Sequence, residues 1–342
     1  MLTVSLVSFL IALLVTPLVI KHAKKVGLVD DPKKRSHPAT LHASPVPRGG
    51  GIPILLSILT ATLVSLPLNS QLIGILAGAA FIFVIGIMDD RHHISPFTRL
   101  VMNGIAGVVV VASGITIPFV TNPFGGVINL EPLISAVLVI FWVIAVTNTV
   151  SWSSGVDGQL AGFVPIAAAT IGALSLKFTE DVTQWPVILL SIAVAGAYLG
   201  FLPFSVYPQR IMPGYSGGAL AGYFLAVLAI ISGAKVATAA IVLAIPIIDA
   251  LFTVMRRIIN KKSPFWADRG HLHHRLLAIG WTRAQVALFY WIIAGALGFL
   301  VLHLNSTAKF YTIFMLTLAV GALIIWLTKS NQLLNQQDQP TG

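Results

Sequence analysis

Cysteine is absent from the sequence, and charged residues are scarce: they make up only 9% of the 342 residues. Without cysteine the chain has neither disulfide bonds nor thiolate metal sites. A soluble globular domain carries roughly 25% charged residues, so this chain cannot cover a water-facing surface. Hydrophobic residues instead make up 56% of it. The composition therefore excludes a soluble fold and indicates an integral membrane protein.

Acidic residues are also few, 11 against 21 Lys and Arg, which gives a formal net charge of +10. The basic residues lie in short segments beside apolar runs, without the aromatic pattern of RNA-binding modules. In a membrane protein such residues anchor cytoplasmic loops at anionic lipid headgroups. We therefore expect membrane lipid as a partner, and no nucleic acid.

Apolar runs of about 20 residues predict transmembrane helices. We predict an all-α integral membrane protein with about 11 spans (10–11) in one polytopic domain, 1–330, and a disordered cytoplasmic tail, 331–342. The first run lacks the basic segment and cleavage site of a signal peptide, so we expect it to be retained. The predicted spans are residues 3–20, 50–67, 72–88, 100–113, 132–150, 160–177, 186–203, 217–233, 236–254, 284–304 and 309–328.

The basic residues predict an orientation. With the N-terminus outside and the C-terminus in the cytoplasm, all but three of the 21 Lys and Arg residues lie on the cytoplasmic side. The three exceptions are Lys177, Lys235 and Lys309. The segment 114–131 has β-branched residues around NPFGG and no basic residue, which predicts a short external β-hairpin.

Six polar clusters fall on the predicted cytoplasmic side. They are DDPKKRSH (30–37), PRGGG (47–51), MDDRHH (88–93), NTVSWSSGVDGQLAG (148–162), MPGYSGG (212–218) and ADRGHLHHR (267–275). Polar clusters from distant parts of the chain that face one leaflet predict a site built from loops on a rigid helical scaffold. The glycines beside Arg48 permit close approach of a ligand or of another helix.

Asp89 and Asp90 directly follow the apolar run AAFIFVIGIM. Two adjacent carboxylates repel each other unless a cation lies nearby. Hard oxygen ligands at a membrane edge suit Mg²⁺, especially together with a diphosphate. The alternative is a helix-terminal charge pair in water beside Arg91.

A second cluster, DRGHLHHRLL, holds three histidines between Arg269 and Arg275. On a helix, His271 and His274 share a face, and Arg275 lies beside His271. No carboxylate has the spacing of a zinc motif such as HExxH. Imidazoles with arginines suit phosphate oxygens, and His273 belongs to the same group. The alternative is a basic interfacial loop that faces lipid headgroups.

Asp249 is an ionisable residue inside a predicted span, where such residues usually have a partner. Arg256, seven residues on, lies on roughly the same helix face. A functional group, a structural ion pair and a helix–helix hydrogen bond all remain open for this aspartate.

The clusters contain no Walker A motif and no GxGxxG. Their absence argues against an ATPase and a nicotinamide enzyme. The chemistry that remains is carboxylates, Mg²⁺ and basic phosphate ligands at one leaflet. It favours phosphoryl transfer between a nucleotide diphosphate and a lipid phosphate.

Taken in order, these motifs resemble the polyprenyl-phosphate N-acetylhexosamine-1-phosphate transferases. That family includes undecaprenyl-phosphate GlcNAc-1-phosphate transferases and phospho-MurNAc-pentapeptide transferases. GLVDDPKKRSH with PRGGGIPI resembles its first cytoplasmic loop and second helix, and IGIMDDRHHISPFTRL resembles its aspartate-pair motif. ADRGHLHHRLLAIGW resembles its histidine motif, in a form closer to the GlcNAc-1-phosphate branch. The resemblance covers roughly residues 20–330.

The resemblance implies transfer of GlcNAc-1-phosphate, or a related sugar-1-phosphate, from a UDP-sugar to polyprenyl (undecaprenyl) phosphate with release of UMP. The site would face the cytoplasm at a prokaryotic plasma membrane, in the first membrane step of cell-wall or surface-polysaccharide synthesis. Mg²⁺, or Mn²⁺, would neutralise the diphosphate. The implied catalytic and metal residues are Asp89, Asp90 and Asp157. The resemblance also allows a homodimer.

The implied substrate-binding residues come from three of the motifs. The histidines would hold phosphates, and Asp157 would help to hold the nucleotide side. The set is Arg48, Asn148, Ser151, Ser154, Gly155, Gly158, Arg269, His271, His273, His274 and Arg275.

Two motifs depart from the family pattern. In N-x-x-N-x-x-D-G-x-D-G-L, the chain keeps Asn148 but has Ser151 for the second Asn and Ser154 for the first Asp. In G-D-x-G-S, whose Asp binds Mg²⁺, the chain has Tyr215. A neutral phenol is a poor Mg²⁺ ligand. The chain therefore lacks two carboxylates that the family pattern contains.

Several interpretations of these departures stay open. The metal would be held by Asp89, Asp90 and Asp157 with the diphosphate and water, or the enzyme would use an altered donor. Alternatively, the protein would bind lipid or nucleotide without turnover. A transporter is a further alternative, although only Asp249 is placed near the membrane midplane, where transporters carry polar groups.

Overall fold

The computed structural model describes residues 1–33, 41–122, 124–233, 235–264 and 268–337, with the backbone only for 331–337. Over these residues the chain forms thirteen helices. In order they are α1 Leu2–Ala23, α2 Gly51–Ser65, α3 Ser70–His92, α4 Pro96–Ala112, α5 Pro132–Trp152, α6 Gln159–Leu176, α7 Gln184–Ser205, α8 Gly214–Ile231, α9 Val236–Val242, α10 Ala244–Ile259, α11 Leu272–Ala278, α12 Arg283–Val301 and α13 Ser306–Gln337.

The protein is an all-α integral membrane protein. Among the described residues, eight helices are long and apolar enough to cross a bilayer: α1, α3, α5, α6, α7, α8, α12 and α13. The shorter apolar helices α2 and α4, and the pair α9 and α10, fall in the other predicted spans. Each predicted span thus contains an apolar helix, and the number that cross the membrane stays a prediction.

The pair α9 and α10 is bent by 80° at Leu243. Pro246 is the third residue of α10, where a helix has no partner for its backbone N–H groups in any case. The sequence LAIPIID therefore permits a new helix to start at Ala244 in a new direction. This direction brings the end of α10 towards the histidine-containing loop.

Two helices that begin at the site end have caps that the sequence encodes. Ser95 Oγ accepts a hydrogen bond from the Thr98 N–H at 3.1 Å, and Pro96 occupies the first helical position of α4. Thr282 and Gln285 form a capping box at the start of α12. These caps fix the residues at which α4 and α12 begin.

The most deeply buried helix is α8, and it packs between α3 and α5 through small residues. A Cβ on Gly222 would collide with the backbone of Thr147 in α5, and one on Gly86 in α3 would collide with Ser216. Small residues let helix backbones approach closely within a membrane. The Tyr223 hydroxyl donates to the Ile75 carbonyl of α3 at 2.9 Å. These contacts hold the start of α8 against the end of α3.

Two short antiparallel sheets lie between helices. β1 (Val29–Asp30) pairs with β2 (Val46–Pro47), which the sequence analysis does not predict. The Met212 N–H donates to the Pro47 carbonyl at 2.8 Å and joins this sheet to the segment before α8. β3 (Phe119–Thr121) and β4 (Val127–Asn129) pair within the segment for which a hairpin is predicted.

Some predicted features fall partly outside the described residues. These are the second half of DDPKKRSH and the Ala of ADRGHLHHR. The predicted disordered tail begins inside α13, whose backbone is helical to Gln337, and residues 338–342 lie outside the described residues.

Candidate active site

A cavity of about 500 Å³ lies where the polar clusters meet, at one end of the helix bundle. Its walls come from the end of α3, the start of α4, the end of α5, the loop before α6, the start of α8 and the region from the end of α10 to α11. Of the predicted site residues, those that line it are Arg48, Asp89, Ser151, Ser154, Gly155, Asp157, His271, His273 and His274. Nine residues from four distant motifs therefore border one volume.

Asp89 lies on the cavity wall and is buried. Its Oδ2 lies 3.4 Å from Nη1 of Arg99, which is in the first turn of α4. Its Oδ1 is buried and has no hydrogen-bond partner. A buried carboxylate oxygen without a partner is costly, so this atom indicates a place for a bound ligand. α3 ends at His92, because the next residue, His93, adopts a left-handed conformation. The His93 N–H still donates to the Asp89 carbonyl.

Asp90 differs from its neighbour and does not line the cavity. Its Oδ1 accepts the Tyr215 N–H at 2.7 Å, and its Oδ2 accepts the Ser216 hydroxyl at 2.6 Å and the Ser216 N–H at 3.2 Å. Arg48 lies 3.2 Å from Oδ1. The carboxylate thus caps the N-terminus of α8, where unpaired N–H groups and the helix dipole favour a negative group. In this structure Asp90 therefore anchors α8, and its catalytic or metal role stays a prediction.

The structure shows why the altered GYSGG motif begins with a glycine, Gly214. It adopts φ +67°, and a Cβ there would collide with the carboxylate of Asp90. Only glycine accepts this conformation at such a close approach. The motif therefore keeps its glycine for the contact with Asp90, while Tyr215 points elsewhere.

Tyr215 lines the cavity next to Asp89. Its hydroxyl forms hydrogen bonds with the side-chain amide of Asn103 on α4, at 3.0 Å to the nitrogen and 3.2 Å to the oxygen. The Arg99 guanidinium lies over its ring, 4.8 Å from the centroid. The phenol at the family's metal-ligand position is thus already engaged with an amide and a cation.

The serine-rich loop between α5 and α6 contributes unevenly to the site. The Ser154 hydroxyl donates to the Ser151 carbonyl at 2.7 Å, which tightens the turn. Gly155 packs directly on His273, whose ring a side chain at this position would hit. Asp157 is buried, accepts the Gln209 N–H at 3.3 Å and lies 3.5 Å from Nη1 of Arg283.

Asn148 and Gly158 are not among the residues that line the cavity. The Asn148 amide donates to the Ile144 carbonyl one turn earlier in α5. Gly158 caps α6 with φ +75°, and its carbonyl accepts the Trp291 indole N–H at 3.2 Å. In this structure both residues shape the loop, and their role in substrate binding stays a prediction.

The three histidines form a contiguous group. The rings of His271 and His273 are parallel with centroids 5.7 Å apart, and those of His273 and His274 are 4.3 Å apart. His271 precedes α11 rather than lying within it, because its Nδ1–H donates to Asp249 at 2.9 Å. Asp249 also accepts the Leu272 N–H at 2.7 Å. Asp249 therefore positions the histidine group from α10 across a helix–helix contact.

Of the alternatives left open for Asp249, the structure shows hydrogen bonding, to His271 and Leu272, whereas Arg256 pairs elsewhere. Arg256 forms an ion pair with Asp268 at 2.8 Å, and Arg257 does so at 3.2 Å. The helix turns Arg256 towards the loop before α11, whereas Asp249 faces the histidine group. The spacing of seven residues placed both on one face but could not reveal the loop that lies between them.

Arg269 and Arg275 do not line the cavity. Arg269 is exposed. Arg275 is buried, donates to the Gly270 carbonyl at 2.9 Å and to the Thr328 hydroxyl, and so ties α11 to α13. Arg275 therefore has a structural role here, and its predicted role with His271 on a phosphate stays a prediction.

Burial keeps two of the histidines neutral near pH 7. It lowers the pKa of His273 well below its usual value, with the adjacent His274 and His271 adding to the effect. It lowers the pKa of His274 to about 4, again with His271 and also Arg269 contributing. A neutral imidazole donates one N–H and accepts at its other nitrogen. These side chains therefore act as dipolar hydrogen-bonding groups and not as fixed cations.

The shifted pKa of His274 predicts a pH-dependent stability. The imidazole has a pKa of about 4 in the folded protein and about 6.5 in the unfolded chain, so the unfolded chain takes up a proton first as pH falls. We expect this group to lower the free energy of unfolding by about 2 kcal/mol between pH 7 and pH 5. Thermal melting should fall less steeply with pH in His274→Gln than in the wild type. Equal slopes would contradict the assignment.

Several cavity residues escaped the sequence analysis. Arg99, Arg257 and His42 line the cavity, and His42 lies 3.4 Å from Asp30. Arg283 reaches the same region through Asp157. A signal existed for Arg99, because Ser95 and a following proline predict a helix start only one turn before it. The others depend on loop positions that no local pattern encodes.

The described residues do not fit a resident Mg²⁺ ion. In the ranges that the structure describes, no three His, Asp or Glu side chains group together as metal ligands. Asp90 is saturated by four donors, and Asp157 is held by Gln209 and Arg283. Oδ1 of Asp89 is buried without a hydrogen-bond partner, and both contacts of Asp157 are made by its Oδ2. The predicted ligand set of Asp89, Asp90 and Asp157 is therefore not assembled.

The cavity lies at one end of a membrane-embedded helix bundle, and aspartates, neutral imidazoles and guanidinium groups line it. These groups are typical of membrane enzymes that act on phosphate-bearing substrates. Residues 72–233 match the family described as Glycosyl transferase family 4. Together with the relatives described next, this match shows that the chain belongs to the polyprenyl-phosphate N-acetylhexosamine-1-phosphate transferase family.

Three relatives illustrate this membership. A Bacillus subtilis (strain 168) protein, named as a probable undecaprenyl-phosphate N-acetylglucosaminyl 1-phosphate transferase, is 28% identical over 342 residues, 98% of this chain and 93% of its own. The decaprenyl-phosphate N-acetylglucosaminephosphotransferase of Mycobacterium leprae (strain TN) is 30% identical over 330 residues, 86% and 81% of the two chains. The phospho-N-acetylmuramoyl-pentapeptide-transferase of Bacillus pumilus (strain SAFR-032) is 24% identical over 309 residues, 84% and 92% of the two chains.

Proposed function

We propose that the protein transfers GlcNAc-1-phosphate, or a related N-acetylhexosamine-1-phosphate, from a UDP-sugar to a polyprenyl phosphate and releases UMP. The observation that carries this proposal is the buried, unpartnered oxygen of Asp89 in the cavity that also holds the histidine group and three arginines. Relatives named for N-acetylglucosaminyl 1-phosphate transfer support the choice of sugar. The reaction belongs to cell-wall or surface-polysaccharide synthesis.

In the proposed reaction, an oxygen of the polyprenyl phosphate attacks the β-phosphorus of the UDP-sugar. A new bond forms between this oxygen and the β-phosphorus, and the bond from the β-phosphorus to the bridging oxygen breaks. UMP leaves with that oxygen and its electron pair. Asp89 accepts the proton of the acceptor when this arrives as the monoanion, whose pKa is near 6. The attacking oxygen is then fully ionised.

Charge develops on the diphosphate as UMP leaves, and the cavity carries groups that can stabilise it. Arg48, Arg99 and Arg257 line it, and His273 and His274 contribute neutral imidazoles. Fixed donors in a water-poor site stabilise such charge without reorganising. Any divalent cation enters with the donor's diphosphate as part of the substrate, because the described residues form no resident site.

The cavity is proposed to face the cytoplasm of a prokaryotic plasma membrane. The helix ends around the cavity are those beside the basic segments, and Lys177, Lys235 and Lys309 lie at the other ends of their helices. Lys and Arg accumulate on the cytoplasmic side of membrane proteins. A UDP-sugar is water-soluble and is supplied from that side, while the acceptor enters from the lipid.

Binding without transfer is the competing function, and one observation favours it. Tyr215 and Ser154 stand where the family pattern has carboxylates, and both are engaged in contacts within the protein. Such a protein would bind a UDP-sugar or polyprenyl phosphate and release no product.

A donor panel separates the two functions. Purified protein is incubated with polyprenyl phosphate and each of several UDP-sugars, with Mg²⁺, with Mn²⁺ and with EDTA, and UMP is measured. We expect UMP with UDP-GlcNAc or a related N-acetylhexosamine donor, and none when the acceptor is omitted. Donor binding without UMP under every condition would contradict transfer and support the competing function.

A further inference from the structure

Arg99 places a fixed positive charge beside Asp89 and Tyr215. Its Nη1 lies 3.4 Å from Asp89 Oδ2, and its Cζ lies 4.8 Å from the centroid of the Tyr215 ring. The side chain is 27% exposed and lines the cavity. The guanidinium is therefore held on two sides and still open to a ligand on a third.

Tyr215 favours a cation in this position but cannot ligate a metal well. The face of its ring carries partial negative charge and attracts a guanidinium. Its hydroxyl is neutral and hydrogen-bonded to Asn103, which orients the ring. A divalent cation at Asp89 would meet the charge of Arg99 at close range, and the described residues offer it no group of three His, Asp or Glu side chains. The local electrostatics thus favour the guanidinium over the metal.

We propose that Arg99 replaces a protein-held divalent cation as the fixed positive charge of this site and binds the diphosphate of the donor directly. The guanidinium is planar and presents paired N–H donors that match phosphate oxygens. Tyr215 and Asn103 are positioning residues that keep it at the cavity wall. The substrate class rests on the proposed function, whereas the absence of a resident metal site does not.

The first test measures metal binding without any substrate. Mn²⁺ is titrated into the purified protein and followed by electron paramagnetic resonance. We expect the wild type to bind it no more tightly than about 1 mM, because the described residues form no group of three metal ligands. Combining Tyr215→Asp with Arg99→Gln should tighten Mn²⁺ binding by about tenfold or more. A sub-millimolar site in the wild type that is lost in Asp89→Asn would overturn the proposal.

The second test measures binding of UDP in the presence of EDTA by calorimetry. We expect Arg99→Gln to weaken UDP binding by about tenfold to 100-fold, the effect of losing hydrogen bonds to a charged group. Arg99→Lys should recover part of this loss. Arg91→Gln is the matched control, since Arg91 is exposed at the end of α3 and does not line the cavity. Unchanged UDP binding in Arg99→Gln, or binding only with Mg²⁺, would overturn the proposal.

These tests distinguish this proposal from the transferase itself. If no donor yields UMP, the transferase reaction fails, but the Mn²⁺ and UDP measurements still decide the role of Arg99. If UMP is released, EDTA should slow its release by less than about tenfold. Complete loss of release in EDTA, together with normal activity of Arg99→Gln, would refute the replacement while leaving the transferase intact.

Discussion

Asp89→Asn should lower the rate of UMP release by about 1,000-fold, within the range expected for a positioned proton acceptor. The substitution keeps the size of the side chain but removes its charge and its ability to take a proton. Asp89 lines the cavity, and its Oδ1 is buried there without a hydrogen-bond partner. The measurement is the initial rate of UMP release at saturating donor and acceptor.

A control on folding accompanies this prediction. The melting temperature of Asp89→Asn should stay within about 5 °C of the wild type, because Arg99 is partly exposed and keeps its contact with Tyr215. Asp181→Asn is the matched variant, since Asp181 lies in an exposed loop away from the cavity, and it should release UMP at the wild-type rate. A wild-type rate in Asp89→Asn would remove Asp89 from the mechanism.

Asp90→Asn should act on stability instead. Its carboxylate accepts three hydrogen bonds from the start of α8 and pairs with Arg48. An amide accepts through one oxygen only, so its NH₂ group would face an N–H donor and Arg48 would lose its counter-charge. Breaking a buried charge pair costs about 3–5 kcal/mol. We expect a fall in melting temperature of about 10 °C in detergent, measured by thermal unfolding.

The two neighbouring aspartates thus serve as controls for each other. At a temperature where both variants are folded, Asp90→Asn should retain more UMP release than Asp89→Asn. If Asp90→Asn melted like the wild type yet released no UMP, the catalytic role that the sequence predicted for Asp90 would stand. The anchoring of α8 would then have to depend on other contacts.

The helices and the location of the site could be predicted from the sequence because both depend on local patterns. Apolar runs end at polar clusters, and alternation of helix direction brings those clusters to one end of the bundle. Asp89, Asp157 and the histidine group line one cavity, as this pattern predicts, and that this cavity is the active site stays a prediction. The crossing number and the cytoplasmic orientation remain predictions.

The roles of individual side chains could not be predicted, because they depend on packing between elements distant in sequence. Asp89 and Asp90 are adjacent, yet their directions differ by about 100° around the helix. Which of them meets α8 depends on small residues such as Gly86 that bring α3 and α8 together. In the same way, Asp249 finds His271 across a helix–helix contact 22 residues away in the chain.

The interpretation of Tyr215 needs both the family pattern and the structure. The pattern marks the loss of a metal carboxylate, and the sequence alone leaves open whether another carboxylate takes its place. The structure places the Arg99 guanidinium over the ring of this tyrosine and the Asn103 amide at its hydroxyl, and the described residues form no group of three metal ligands. The consequence is a site whose positive charge comes from the chain itself.

The fate of the β-phosphate tests the central claim most directly. UDP-GlcNAc that carries radioactive phosphorus at the β-position is incubated with the protein and polyprenyl phosphate, and the lipid is extracted. The account predicts that the label moves into the lipid fraction in step with UMP release, and that Asp89→Asn abolishes this movement. Label that remains in the aqueous phase while donor and acceptor both bind would contradict sugar-1-phosphate transfer.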